Sequence, residues 1–236
     1  MMCLNGIIFD LWNTLVFLPQ GFRLRERIAD YSGVPLKTVQ EYMRLISSVR
    51  QDFDFSHLCE LLYQENGLIL SSSNRQKLSE IYDETLQLVR WESGACEVLE
   101  ELKRIGIKTA VVSNSTEFSI KVISQMGIDS LVDIVALSCL SGFLKPDPRA
   151  FLPVIDKWTT IDNVVVVGDK ITTDILGAKV LGVDVIHYNK NAPKTALLEG
   201  VSVTGIVNNM NKLSSLLEQY CSNLPSAKER SICNEN

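Results

Sequence analysis

The sequence predicts an α/β fold: a doubly wound, mostly parallel sheet with an α-helical section inserted after the first strand. Three observations predict it. A short apolar run, Gly6–Phe9, ends in a carboxylate at Asp10. Residues 17–92 carry apolar side chains at helical spacing and no good buried strand. Beyond them, strand-like and helix-like segments alternate to residue 220.

The elements follow in order. The run at Gly6–Phe9 suits a strand buried on both faces. In the inserted section, Leu36, Val39, Met43 and Ile46 share one helical face, as do Leu58, Leu61 and Leu62, and then Leu78, Ile81, Tyr82 and Leu88. Breaks fall at Gly33-Val34-Pro35, Asn66-Gly67 and the serines 71–73. A helix is expected over 96–104, stopped by Gly106. Next come a strand at 107–113, a helix at 117–126, a short strand at 134–137 and a helix at 148–158. The four consecutive valines, Val164 to Val167, mark the clearest strand, expected over 163–167. A helix at 172–181, strands at 183–188 and 203–207, and a helix at 210–220 close the pattern. The expected division is a core of residues 1–16 and 93–220, a helical cap of 17–92 and a polar, disordered tail of 221–236.

Composition narrows the function classes. The chain has 236 residues, enough for one large domain or one domain with an insertion. Hydrophobic residues at 46% and charged residues at 22% exclude a disordered chain. A formal charge of −5 argues against nucleic-acid binding driven by overall charge. No apolar run approaches the ~18 residues of a spanning helix, and no signal peptide is visible, so no membrane partner is expected. Six scattered cysteines form no CxxC pair, and a cytoplasmic setting with free thiols is expected.

In open α/β sheets, ligands bind beyond the carboxyl ends of the strands. Four such ends are polar here. They read Asp10-Leu11-Trp12-Asn13, Ser113-Asn114-Ser115, Lys145-Pro146-Asp147 (in the loop after the third strand) and Gly168-Asp169, with Asp174 five residues on. Each residue alone has an ordinary explanation, a turn or a helix cap. Carboxylates, a lysine and a hydroxyl at neighbouring strand ends are another matter. A carboxylate can act as a nucleophile and split one hard step into two easier ones.

These four segments, in this order and with an insertion of this size, resemble the haloacid dehalogenase-like (HAD) hydrolase superfamily, of the type with a helical cap after the first strand. The resemblance covers about residues 5–190. It implies a Rossmann-like core and Asp10 as nucleophile. It further implies that Ser113 and Asn114 bind the transferring group, and that Lys145 neutralises charge between nucleophile and substrate. Mg²⁺ would be held by Asp10, the Trp12 backbone carbonyl and Asp169, with Asp174 in support. Hard oxygen ligands of this kind suit Mg²⁺. The implied reaction is hydrolysis of a small phosphorylated metabolite through an aspartyl-phosphate, by a monomer or homodimer.

The sequence departs from the phosphatase pattern at Trp12, where those members carry a second aspartate that protonates the leaving alcohol. Indole is only a donor and cannot shuttle a proton. An aromatic at this place is also found in 2-haloacid dehalogenases, which need no metal because halide leaves unprotonated. Those enzymes carry serine at the position of Asp169 and asparagine at that of Ile171. Their cap arginine, which receives the halide, has its nearest counterpart here in Arg44, with Glu41 closer to the expected place. A metal-independent dehalogenase is the first alternative, and a non-catalytic member binding a phosphometabolite or a protein is the second. Trp12 is expected between core and cap, where it would help shape the substrate site. His57 is expected on a polar face of the cap, His187 is expected to be structural, and Arg23, Arg25 and Arg27 are expected on a solvated helix face.

Overall fold

The computed structural model describes residues 4–48, 54–160, 162–190 and 203–223. The chain runs β1 (Gly6–Phe9), β2 (Val16–Phe17), α1 (Leu24–Ser32), α2 (Leu36–Ser47), α3 (Phe55–Glu65), α4 (Ser72–Gln87) and β3 (Arg90–Trp91). It continues through α5 (Ala95–Arg104), β4 (Lys108–Ser113), α6 (Phe118–Met126), α7 (Ile128–Leu131), β5 (Ile134–Leu137) and α8 (Ser138–Ser141). A 3₁₀ turn (Pro148–Phe151) leads into α9 (Leu152–Trp158), followed by β6 (Val164–Gly168). A π-helical turn (Ile171–Ile175) leads into α10 (Leu176–Leu181), and β7 (Asp184–Tyr188), β8 (Gly205–Val207) and α11 (Asn211–Asn223) complete the fold.

Six strands form one parallel sheet in the order β5-β4-β1-β6-β7-β8. β1 lies inside it, in register with both neighbours: Phe9 is opposite Val111 of β4 and Val167 of β6. The chain winds outward on one side of β1 through β4 and β5, then on the other through β6, β7 and β8. That reversal makes a crevice beyond the carboxyl ends of β1, β4 and β6.

Alternation along the strands explains why they read as continuous apolar runs. Ile7 and Phe9 join one core cluster with Val111, Val165 and Val167, while Ile8 joins the other with Val112, Val164 and Val166. Both faces are thus buried, as a parallel sheet between helices requires. The first cluster extends without a break into α1–α4 through Leu24, Ile28, Val39, Leu62 and Leu78.

The structure differs from expectation in a few elements. The helical section is flanked by a two-stranded antiparallel ribbon, β2 with β3, pairing Val16 with Trp91 and Phe17 with Arg90. Two residues are too few to show a period of two in sequence. The expected helices at 148–158 and 172–181 each open as a tighter or wider turn, and only later become α-helical. The helix expected to end at 220 runs to Asn223, and the rest of the expected tail lies outside the described residues. Among the described residues, no helix is long and apolar enough to cross a membrane.

Candidate active site

Asp10 directly follows β1. Its backbone N–H donates to the Val167 carbonyl at 2.9 Å, so pairing with β6 fixes where the carboxylate starts. Lys145 reaches it from the loop after α8. Asn114, just past β4, holds the backbone of Lys145 from both sides. Its Oδ1 accepts the Lys145 N–H at 2.7 Å, and its Nδ2 donates to the Lys145 carbonyl at 2.9 Å. The buried Lys145 ammonium then meets three acceptors: Asp10 Oδ1 at 2.6 Å, Asp174 Oδ1 at 2.7 Å and the Val112 carbonyl at 2.6 Å. An ammonium has three donors, and all three are used.

Asp174 is set by the π-helical turn after β6. Its Oδ2 accepts the Lys170 N–H at 2.9 Å, so both its oxygens are engaged. Gly168 permits this close approach: a Cβ there would stand 2.5 Å from the carboxyl carbon of Asp174. Asp169, less buried, takes a hydrogen bond from Asn13 Nδ2 at 3.3 Å. Asn13 sits at φ 60°, a left-handed conformation that asparagine tolerates better than most residues. His187 lies buried at the end of β7 with Nε2 3.0 Å from the Asp169 carbonyl oxygen, a structural contact as expected.

Carboxylate oxygens of Asp10, Asp169 and Asp174 lie within 4.8 Å of one another. Three carboxylates therefore face one ammonium. Burial pushes the Asp10 pKa up to about 7, against the pull of Lys145 and with added repulsion from Asp174 and Asp169. Burial also raises Asp169, assisted by Asp174. For Lys145, burial disfavours the charge, but Asp10 and Asp174 outweigh it and hold its pKa above the usual lysine value. The cluster has an excess of negative charge and only hard oxygen donors, which fits a divalent cation such as Mg²⁺. Asp10 and Asp169 are the carboxylates with an oxygen to spare for it. Asp174 is already committed to Lys145 and Lys170.

The other expected site residues gather at the same strand ends. Ser113 ends β4 with its hydroxyl buried and without a hydrogen-bond partner among the described residues. A buried polar group of this kind calls for a partner from outside the chain. Trp12 and Asn114 line a cavity of 940 Å³ that also reaches Lys145 and Lys170. Trp12 is turned toward α6: its Nε1 donates to Ser119 Oγ at 2.9 Å and its ring stacks on Phe118 at 6.0 Å. Phe118 in turn meets Tyr82 of α4 edge-on at 5.0 Å, so the aromatic contact reaches the inserted helices through Phe118.

His57 stands at the start of α3 against Asp54 and does not line this cavity. The basic cluster differs from expectation. Arg27 turns inward to Glu84, Thr85 and the Ile81 carbonyl, whereas Arg23 and Arg25 line the cavity. Sequence reasoning also missed Asn13, Ser119 and Lys170. Of these only Asn13 left a signal, an asparagine three residues after a strand-end aspartate.

Comparison with known proteins identifies the family and the fold. Over 104 residues the chain is 30% identical to the ribulose-1,5-bisphosphate 5-phosphatase of Halopiger xanaduensis, covering 43% of this chain and 44% of that protein. It is 26% identical to the glyceraldehyde 3-phosphate phosphatase of Methanothermobacter thermautotrophicus, covering 91% of this chain and all of that one. Among solved structures, the 2-haloacid dehalogenase of Pseudomonas syringae pv. Tomato has the same fold, with a TM-score of 0.67 and 20% identity, over 92% of this chain and 99% of that one. The model of the haloacid dehalogenase-like hydrolase family matches residues 4–182. A match that runs from the approach to β1 through the end of α10 decides the family: this chain belongs to the haloacid dehalogenase-like hydrolases.

Proposed function

We propose that the chain is a Mg²⁺-dependent phosphatase of a small phosphorylated metabolite, working through an aspartyl-phosphate on Asp10. One observation carries this reading: Asp10, Asp169 and Asp174 converge within 4.8 Å, and Lys145 bridges Asp10 and Asp174. Asp10, Asp169 and the Trp12 backbone carbonyl would hold the cation, with Asp174 in support. The cation supplies charge that lets an anionic nucleophile and an anionic phosphoryl group approach. The similarity to proteins named as sugar-phosphate phosphatases supports the same substrate class.

In this reading a carboxylate oxygen of Asp10 attacks phosphorus, and the bond from phosphorus to the leaving oxygen breaks. Lys145 neutralises charge beside that centre, and the Ser113 hydroxyl donates to a phosphoryl oxygen. Asn114 keeps Lys145 in place. Water then attacks phosphorus, releasing phosphate and restoring the Asp10 carboxylate. Trp12 offers no proton to the leaving oxygen, so substrates whose leaving oxygen departs unprotonated are favoured. Helices α1–α4 act as a cap over residues 17–92, and its closure excludes bulk water and selects the substrate.

Metal-independent dehalogenation is the second reading. One observation favours it: Arg44 of α2, the nearest candidate for the halide-receiving arginine, lines the same cavity as Lys145. Glu41 is exposed and faces Lys37 instead. Asp169 speaks against it, because a second carboxylate beside Asp10 repels a carboxylate substrate.

The test is hydrolysis of p-nitrophenyl phosphate with Mg²⁺ and with EDTA, using Asp10→Asn as control. This leaving group needs little protonation, so Trp12 matters least for it. Mg²⁺-dependent turnover lost in Asp10→Asn is expected. Chloride release from 2-chloropropionate in EDTA, without phosphatase activity, would replace this reading with the second.

A further inference from the structure

Eight arginines are among the described residues, and their partners divide them sharply. Five are occupied. Arg27 pairs with Glu84, Arg75 with Glu60 at 2.8 Å, Arg104 with Glu101 at 2.6 Å and Arg149 with Asp147 at 2.6 Å. Arg90 donates to the backbone carbonyls of Gln87 and Val89. The other three, Arg23, Arg25 and Arg44, have no hydrogen-bond or ion-pair partner among the described residues, and all three line the 940 Å³ cavity that contains Lys145 and Lys170.

Two further observations make this more than a solvated basic face. The Nε of Arg25 is buried and has no acceptor among the described residues. Burying a guanidinium donor without an acceptor is unfavourable, and an acceptor brought to this side chain by a ligand would relieve that cost. Burial, together with the neighbouring charge of Arg23, also pushes the Arg25 pKa down, against the pull of Glu26, and a bound anion would relieve it. Among the described residues, the only carboxylate lining the cavity is Asp147, already held by Arg149. Among the described residues, the cavity lining therefore carries more cations than anions to match them.

The cavity is also larger than a phosphoryl group needs; volumes of about 300–1,000 Å³ enclose whole small-molecule ligands. There is room for a leaving group with its own binding contacts. Guanidinium forks suit planar carboxylates and phosphates equally well.

We infer that the leaving group carries a second anionic group, a carboxylate or a second phosphate, which Arg23, Arg25 and Arg44 bind while Asp10 and Lys145 engage the phosphoryl group. This rests on the phosphatase reading for its second half only. These arginines bind the part of the substrate that does not react and so set specificity.

The experiment uses two matched pairs of substrates: 3-phosphoglycerate against glycerol 3-phosphate, and fructose 1,6-bisphosphate against fructose 6-phosphate. In Mg²⁺, kcat/KM is measured for each on the wild type, Arg25→Gln and Arg44→Gln. In parallel, calorimetric titration of the same four compounds into Asp10→Asn reads affinity without turnover. A charge-assisted contact predicts a preference of about tenfold or more for the anionic member of at least one pair. That preference should fall toward unity in both arginine variants. The pair that shows it identifies the group as carboxylate or phosphate. Arg44 is exposed, so its variant carries the test even if Arg25→Gln does not fold. Mg²⁺-dependent turnover with less than a twofold preference in both pairs overturns the inference and leaves the phosphatase reading intact. No turnover of any compound, with tail-dependent affinity in Asp10→Asn, overturns the phosphatase reading and leaves the subsite standing.

Discussion

Trp12 donates its indole N–H to the hydroxyl oxygen of Ser119 at 2.9 Å. That bond uses the one polar atom of the side chain on the protein itself. The residue two positions after the proposed nucleophile is therefore a packing element, stacked on Phe118, which is itself edge-on to Tyr82. Rings so arranged contribute about 0.5–1.5 kcal/mol per pair beyond their buried area. The position that would carry proton transfer in a phosphatase with an aspartate here has been given over to joining α6 to the loop after β1.

Trp12→Asp separates these two roles. General acid–base catalysis is worth about 10²–10⁴-fold, so turnover of an alkyl phosphate should rise relative to p-nitrophenyl phosphate by at least about tenfold. Stability should fall by about 2 kcal/mol, below the roughly 3–5 kcal/mol of a fully buried tryptophan, because Trp12 is only partly buried. Urea denaturation and the alkyl-to-aryl rate ratio measure the two effects independently. A ratio unchanged in a protein that still folds contradicts the missing-acid argument.

Lys145→Met tests the electrostatic centre through stability alone. The ammonium is buried and divides its charge between Asp10 and Asp174. Without it, two buried carboxylates face each other beside Asp169. Removing one side of a buried pair costs about 3–5 kcal/mol, and urea denaturation in EDTA should show a loss of that size. A loss under about 1 kcal/mol would mean that the carboxylates are solvated or protonated in the native state.

How much of this was legible beforehand depended on where the information lay. The strands β1, β4 and β6 were readable because burial on both faces leaves an unbroken apolar run, and the polar residues that end them announced the crevice. Asp10, Ser113, Lys145, Asp169 and Asp174 were found from those ends and from the family pattern. What stayed hidden was the choice of partner. Arg23, Arg25 and Arg27 look like one charged stripe in sequence, but α1 begins only at Leu24, and from there Arg27 faces α4 while Arg23 and Arg25 face the cavity. Ser119 became the acceptor for Trp12 only through a contact 107 positions apart, which no local pattern encodes.

Asp169→Asn addresses the cation. If Asp10 and Asp169 supply the available carboxylate oxygens, Mg²⁺ stabilises the native protein by mass action, about 2.7 kcal/mol at a hundredfold excess over Kd. For a chain of this size that corresponds to a rise of roughly 5–10 °C in Tm. The rise should be present in the wild type and largely gone in Asp169→Asn. An equal rise in both would place the cation elsewhere.

Glu117→Gln predicts a pH dependence away from the active site. Glu117 immediately precedes α6 and accepts the Tyr82 hydroxyl at 3.2 Å, beside a second cavity of 450 Å³ lined by residues of α3, α4 and α6. Burial raises its pKa, even though the Tyr82 hydrogen bond, nearby backbone N–H groups and Lys121 all favour the charged form. The native state therefore holds this proton more tightly than the unfolded chain does. The stability contributed is fully present below the unfolded value of about 4.3–4.5 and is lost as pH rises through the raised native value. Glutamine keeps an acceptor for Tyr82 and cannot ionise, so it escapes that loss. Relative to wild type, Glu117→Gln should gain stability as pH climbs from 4 toward 7, with the difference levelling off once Glu117 is ionised in both states. Urea denaturation across that range measures it. A difference independent of pH would show that the carboxylate is as well stabilised beneath Tyr82 as it is in water.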